Sequence, residues 1–235
     1  ARMYLLLEGD VGLVVGGKFL GSVKPGQVFG ELAVIAGQPR SATALAKTDC
    51  RVIAMDQKQF HTALEKNPEF ALMLMSIMVN RLRESMAKLG PNAAGGIAER
   101  EAALDKKMLA ELPRALCEQT PATFAPGKVI MSEGAVGAFM YVVTKGRVAI
   151  SIGDQVVERI GAGGVFGEMA LLTSSPRSTT IRAGSSLSML AIRQDVFVRL
   201  VEENAPIAVG ITRMLIDRLA KTNADLNRAR AASSG

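Results

Sequence analysis

At 235 residues the chain has room for one large domain or two small ones, and an apolar share of 49% supplies a real core. Aromatic residues make up only 4%, with no Trp, which argues against base-stacking platforms of the single-strand-binding kind. The net charge of +6 is dispersed rather than gathered into runs, so it suits a small anion or a mixed solvated surface as readily as nucleic acid.

From the N-terminus, MYLLLEGDVGLVV opens a β-unit, with a loop VFGELAVIAGQPRSAT from Val28 to Thr43 behind it. After Phe60 the period becomes helical: Leu72, Met75, Val79, Leu82, Met86 and Leu89 step by three and four, as an a/d seam does. GPNAAGG (90–96) stops that helix and forms a flexible joint. EREAALDKKMLAEL then predicts a second helical stretch with Leu104, Met108 and Leu112 on one face, ended or bent at Pro113. TFAPGKVIMSEGAVGAF leads into MYVVTKGRVAISI and VVERIG, short alternating strands punctuated by glycine turns. The loop returns as VFGEMALLTSSPRSTT from Val165 to Thr180. A long helix follows, its seam weakened by Thr212 and Asn223, and AASSG frays at the end.

One constant spacing organises all of this. Glu31 and Glu168 stand 137 positions apart, as do Arg40 and Arg177, Tyr4 and Tyr141, Phe60 and Phe197, and Arg81 and Arg218. Two copies of one domain follow, without a gap. The expected units are 1–90, a linker 91–97, and 98–235. Only Ala1 and Arg2 precede Met3, so the first copy is expected to lack the opening strands that the second carries before Met140.

The repeated loop suggests its own chemistry. Gly30 and Gly167 let a ligand approach the backbone closely. Free amides at the start of a helical turn, Glu31–Leu32–Ala33 and Glu168–Met169–Ala170, attract an anion. Arg40 and Arg177 add a fixed charge with a fork of donors. Ser41 with Ala42, and Ser178 with Thr179, can complete the cage. A carboxylate only accepts hydrogen bonds, so Glu31 and Glu168 suit hydroxyls. A phosphate reader beside a hydroxyl reader describes a compact sugar phosphate.

FGEMALLxxxPRSxT, with PGKVIMSEG and MYVVTKGRVAI ahead of it, resembles the phosphate-binding cassette of cyclic-nucleotide-binding domains. The resemblance implies a mainly β, α+β fold: two jelly-roll β-barrels, each followed by a long C-terminal helix. It implies that Glu31 and Glu168 take the ribose 2′-hydroxyl and that Arg40 and Arg177 take the cyclic phosphate. Gly30, Gly167, Ser41, Ser178, Ala42 and Thr179 would line phosphate and ribose, with Thr179 a departure from the family's Ala. Members of the family read the base from the long helix. The matching positions are Ser85 and Met86 in the first copy and Thr222 and Asn223 in the second. The expected ligand is cAMP. cGMP stays open, since Ser41 and Ser178 fall between the two patterns.

The implied function is a cytoplasmic sensor of cyclic nucleotides that controls an unknown protein effector. A homodimer is expected through helix 69–89, with 206–228 as a weaker second seam. Alternatives of other classes are a transcription regulator or kinase-regulatory fragment without its output segment, and a ligand-free scaffold. DNA binding by these residues is not expected, because no helix-turn-helix follows either copy. No membrane span is expected, since runs such as FALMLMSIMV are too short. With His61 alone, no metal site or nucleophile–base pair is expected, and hence no enzyme. Cys50 and Cys117 read as buried thiols or bystanders in a reducing compartment.

Overall fold

A computed structural model describes residues 1–35, 37, 39–89, 98–100, 104, 106–116 and 120–232. The first copy runs β1 (Arg2–Glu8), β2 (Val11–Val15), β3 (Lys18–Val23), β4 (Val28–Phe29), α1 (Glu31–Ile35), β5 (Thr43–Ala46), β6 (Arg51–Asp56), α2 (Gln57–Lys66) and α3 (Pro68–Leu89). Then come β7 (Ala98–Arg100), α4 (Lys106–Ala115), β8 (Ala122–Phe124) and β9 (Val129–Met131). The second copy repeats the series as β10 (Phe139–Lys145), β11 (Val148–Ile152), β12 (Gln155–Ile160), β13 (Val165–Phe166), α5 (Glu168–Thr173), β14 (Thr180–Ala183), β15 (Leu187–Arg193), α6 (Gln194–Glu203) and α7 (Ala205–Ala232).

The 137-residue spacing survives in three dimensions. β1 pairs with β4 and β6 through the register in which β10 pairs with β13 and β15: Tyr4 faces Phe29 and Ala54, and Tyr141 faces Phe166 and Ala191. The stacked rings repeat as well, Tyr4 on Phe29 at 5.1 Å and Tyr141 on Phe166 at 5.0 Å. Each copy is thus a mainly β unit of two sheets, antiparallel apart from β7 at the edge of one sheet in the second copy, that hands its chain to helices.

The copies differ where the sequence differs. In the second, β8 adds to β15 and β9 adds to β14. In the first, β5 and β6 end their sheets without such partners among the described residues. The consequence is visible in burial. The second β-unit encloses Val143, Val148, Ile150, Ile160, Phe166 and Leu187, whereas the first encloses Leu6, Val11 and Val23, and Leu45 lies 59% exposed.

The long helices exchange sides. α3 packs along α7, and it also packs on α5 and α6 of the second copy. α7 packs in turn on α1 and α2 of the first. The seam residues Met75, Val79 and Leu82 of α3 are fully buried in one core with Ile211, Ile216 and Leu219 of α7. The two helices expected to form dimer seams thus pack on each other within the chain. The seams of 69–89 and 206–228 are apolar enough to demand a partner, and they satisfy each other inside one chain. Polar Thr212 is tolerated at full burial because its hydroxyl donates to the Ala208 carbonyl at 2.8 Å.

The segment after the joint also departs from expectation. Ala98–Arg100 is a strand lying parallel to β12, whose outer edge it pairs, and α4 starts only at Lys106. Pro113 does not end α4, which continues to Ala115. Leu104 and Leu112 are buried and Met108 packs beside them, as their spacing indicated. The linker 91–97 and Cys117 lie outside the described residues.

Candidate functional site

Each cassette begins with a glycine in the left-handed region, Gly30 at φ +75° and Gly167 at φ +80°. This turn swings the chain from a short strand into a one-turn helix and carries Glu31 or Glu168 inward. It also leaves room for the arginine ten residues on. A Cβ on Gly30 would lie 2.4 Å from Arg40 Nη1, and one on Gly167 would lie 2.8 Å from Arg177 Nη1.

The arginines anchor on the backbone. Arg40 donates from Nη1 to the Gly30 carbonyl at 2.9 Å and from Nη2 to the Arg2 carbonyl at 2.5 Å. Arg177 repeats this on the Gly167 and Phe139 carbonyls at 2.8 and 2.5 Å. A guanidinium has five N–H donors, so the rest of the fork stays free for a ligand. Arg40 is exposed, whereas Arg177 is 5% exposed. Burial pushes the Arg177 guanidinium below its ordinary range, against the opposing pull of Tyr141 and Glu168.

The acids are buried and paired. Glu31 accepts from Arg81 Nη1 at 2.9 Å, and Arg81 Nη2 donates to the Val28 carbonyl. Glu168 accepts from Arg218 Nη1 at 2.5 Å, and Arg218 Nη2 also faces Glu158 at 4.0 Å. Arg81 and Arg218 come from α3 and α7, so the long helices hold the carboxylates that the loops present. Sequence reading did not assign these two arginines. The available signal was a cation recurring at the 137-residue spacing on both long helices.

Two cavities form, and their linings correspond. The first, about 520 Å³, is lined by Gly30, Glu31, Leu32, Ala33, Arg40, Ser41 and Ala42. The second, about 40 Å³, is lined by the matching Gly167, Glu168, Met169, Ala170, Arg177, Ser178 and Thr179. The long-helix residues fall differently from expectation. Asn223 lies not at the second cavity but at the first, with Leu219, Leu226 and Asn227 of α7. Met86 of α3 lines the second. Ser85 borders the first cavity, and its hydroxyl donates to Asn223 Oδ1 at 2.8 Å. Thr222 lines neither cavity. The exchange of helices explains the swap: each helix turns this position toward the other copy's cavity. Among the described residues no group of three or more His, Cys, Asp or Glu could hold a metal ion, and no helix is long and apolar enough to cross a membrane. Cys50 is half-buried with its thiol on the Thr48 carbonyl at 3.2 Å.

A duplicated Glu–Arg cassette folded over matched cavities is what a family comparison then recognises. The cyclic nucleotide-binding domain model matches residues 1–67 and 121–204. The chain belongs to the cyclic nucleotide-binding domain family. The chain is 29% identical, over 84% of its length, to a cAMP-dependent protein kinase regulatory subunit of Eremothecium gossypii, and 30% identical, over 79%, to one of Hypocrea atroviridis. It spans 39% and 36% of those two relatives. Among solved structures, a cAMP-bound PfPKA-R is 25% identical with a TM-score of 0.35, covering 86% of this chain and 68% of the other. These curated relatives of the cyclic nucleotide-binding domain family are named as regulatory subunits.

Proposed function

We propose that this chain is a cytoplasmic cyclic-nucleotide sensor, without catalytic activity of its own, whose first cavity is a receptor for cAMP, with cGMP the competing ligand. Its units are residues 1–90 and 98–235, joined by 91–97. The observation that carries the reading is the first cavity. Its volume of about 520 Å³ lies within the ~300–1,000 Å³ typical of small-molecule sites, with the exposed Arg40 and the buried Glu31 in one lining. Arg40 takes the cyclic phosphate through the N–H groups its backbone anchors leave free. Glu31, oriented by Arg81, accepts from the ribose 2′-hydroxyl. Ser85, Asn223 and Asn227 supply donors and acceptors for the base.

The link from ligand to output is α3. It carries Arg81 to the carboxylate that meets the sugar, so ligand and helix share one contact. A ligand shifts a helix only if it binds one helix position better than another, and this shared contact provides such a difference. The effector is a protein, and the relatives' names make a kinase catalytic subunit the first candidate.

Calorimetry of the full chain with cAMP, cGMP and linear 5′-AMP tests the reading. The cyclic forms should bind and 5′-AMP should bind far more weakly. Arg40→Ala should weaken cyclic-nucleotide binding roughly ten- to hundredfold, the loss of a charge-assisted bond of about 1.5–3 kcal/mol. Absence of heat from both cyclic nucleotides at millimolar concentration, in a folded chain, overturns it.

A further inference from the structure

We propose that the first copy's long helix acts as a gate on the second cavity. Met86 and Arg83 hold it shut until a ligand fills the first cavity and shifts α3. The inference rests on the reading of both cavities as cyclic-nucleotide sites.

The cavities match through the cassette, yet about 520 Å³ is open in one and about 40 Å³ in the other, where Met131 of β9 adds a wall that the first cavity lacks. The smaller volume is near the share of a single water in the liquid, about 30 Å³, and excludes a nucleotide. Two side chains of α3 bear on it. Met86 lines the second cavity together with Glu168, Arg177 and Arg218. Arg83 Nη2 donates to the Pro176 carbonyl at 3.0 Å, immediately before Arg177 in the cassette. Arg83 Nε is buried without a hydrogen-bond partner, so the latch is made at a cost that its release would recover.

The latch points one way. The residues 137 positions on from Arg83 and Met86 are Ala220 and Asn223. Ala220 has no side chain long enough to grip the first cassette, and Asn223 borders a cavity that stays open. The same stretch of α3 serves both cavities. Arg81, Glu84, Ser85 and Lys88, spaced three and four apart, line the first. Arg83 lies two residues, about 200° of helix, from Arg81, and Met86 follows it by three on the other flank. A ligand that draws Arg81 and Ser85 toward the first cavity therefore moves Arg83 and Met86 with them, as parts of one rigid helix.

The consequence is ordered filling, read by calorimetry of the full chain with cAMP and, in parallel, cGMP. Arg40→Ala should weaken both binding steps together, by roughly the ten- to hundredfold lost at the first cavity, since the second cavity opens only once the first is filled. Adding Met86→Ala to Arg40→Ala should restore one site, at least tenfold tighter than Arg40→Ala alone. Met86→Leu, which keeps the volume, should not. Circular dichroism confirms folding of each variant. Arg83→Gln in the Arg40→Ala background replaces Met86→Ala should that variant unfold, with the same restored site expected. The gate is overturned if Arg40→Ala retains one site of wild-type affinity, or if the folded Met86→Ala and Arg83→Gln variants leave the second site as weak as before. Failure of the wild type to bind either nucleotide is a different result, and it removes the sensor reading itself.

Discussion

Replacing Arg177 by Ala should damage the second copy far more than Arg40→Ala damages the first, although the two arginines hold the same place in the repeat. Each guanidinium anchors two carbonyls, those of Gly167 and Phe139 in one case and of Gly30 and Arg2 in the other. Arg177 is 5% exposed. Its removal leaves acceptors without a donor in a nearly dry cavity, at about 1–3 kcal/mol each, or about 2–6 kcal/mol for the pair. Arg40 is exposed, and water can replace it on both carbonyls, so its removal should cost under about 1 kcal/mol. With a urea slope of about 2 kcal/mol/M, a loss of about 3 kcal/mol moves the midpoint down by about 1.5 M. Urea unfolding followed by amide exchange, resolved by copy, measures both. Equal midpoints for the two variants, or a larger drop for Arg40→Ala, would refute the reasoning.

Two further outcomes are open to direct measurement. Gly137→Ala places a Cβ 2.1–2.2 Å from the Arg177 guanidinium and should displace it from the Phe139 carbonyl. The urea midpoint should fall by less than in Arg177→Ala, with faster exchange at 139–140 and 177–180; an unmoved midpoint would show that Arg177 seats elsewhere. At the start of α6, Arg193 donates to Asp195 at 2.5 and 2.6 Å and lowers its pKa from 3.8 to about 2. The folded value lies below the unfolded one, so the stabilisation is complete above about pH 4 and fades as pH falls through about 2. Asp195→Asn should melt slightly below the wild type at neutral pH, the pair being exposed, and the gap should close near pH 2. A gap independent of pH in thermal scans would contradict this.

Much of the molecule was legible because a repeat is a comparison the chain makes with itself. One spacing located both cassettes, the mainly β units and the long helices, and the structure keeps it down to the facing of Tyr4 on Phe29 and Tyr141 on Phe166. What could not be read was who partners whom. An a/d seam states that a helix needs a neighbour and is silent on whether the neighbour is another chain or the other half of the same one. For the same reason Asn223 and Met86 were assigned to their own copies, while the fold presents each to the opposite cavity. The strand Ala98–Arg100 was hidden by helix-favouring neighbours, since its pairing is supplied by the free edge of β12 and not by its own residues. Arg81 and Arg218 carried a visible repeat, but their pairing with Glu31 and Glu168 needed the helix to be laid over the loop.

The mutual crossing of α3 and α7 has an evolutionary corollary. Two identical subunits about a dyad must display every substitution twice, so neither chamber can be altered without its twin. Here the dyad is only approximate and lies within one polypeptide. A single codon can therefore make one chamber's wall apolar and leave the other's polar, as Met86 and Asn223 already do at the same place on the axis. Two copies carried in one polypeptide thus leave the two chambers free to diverge independently.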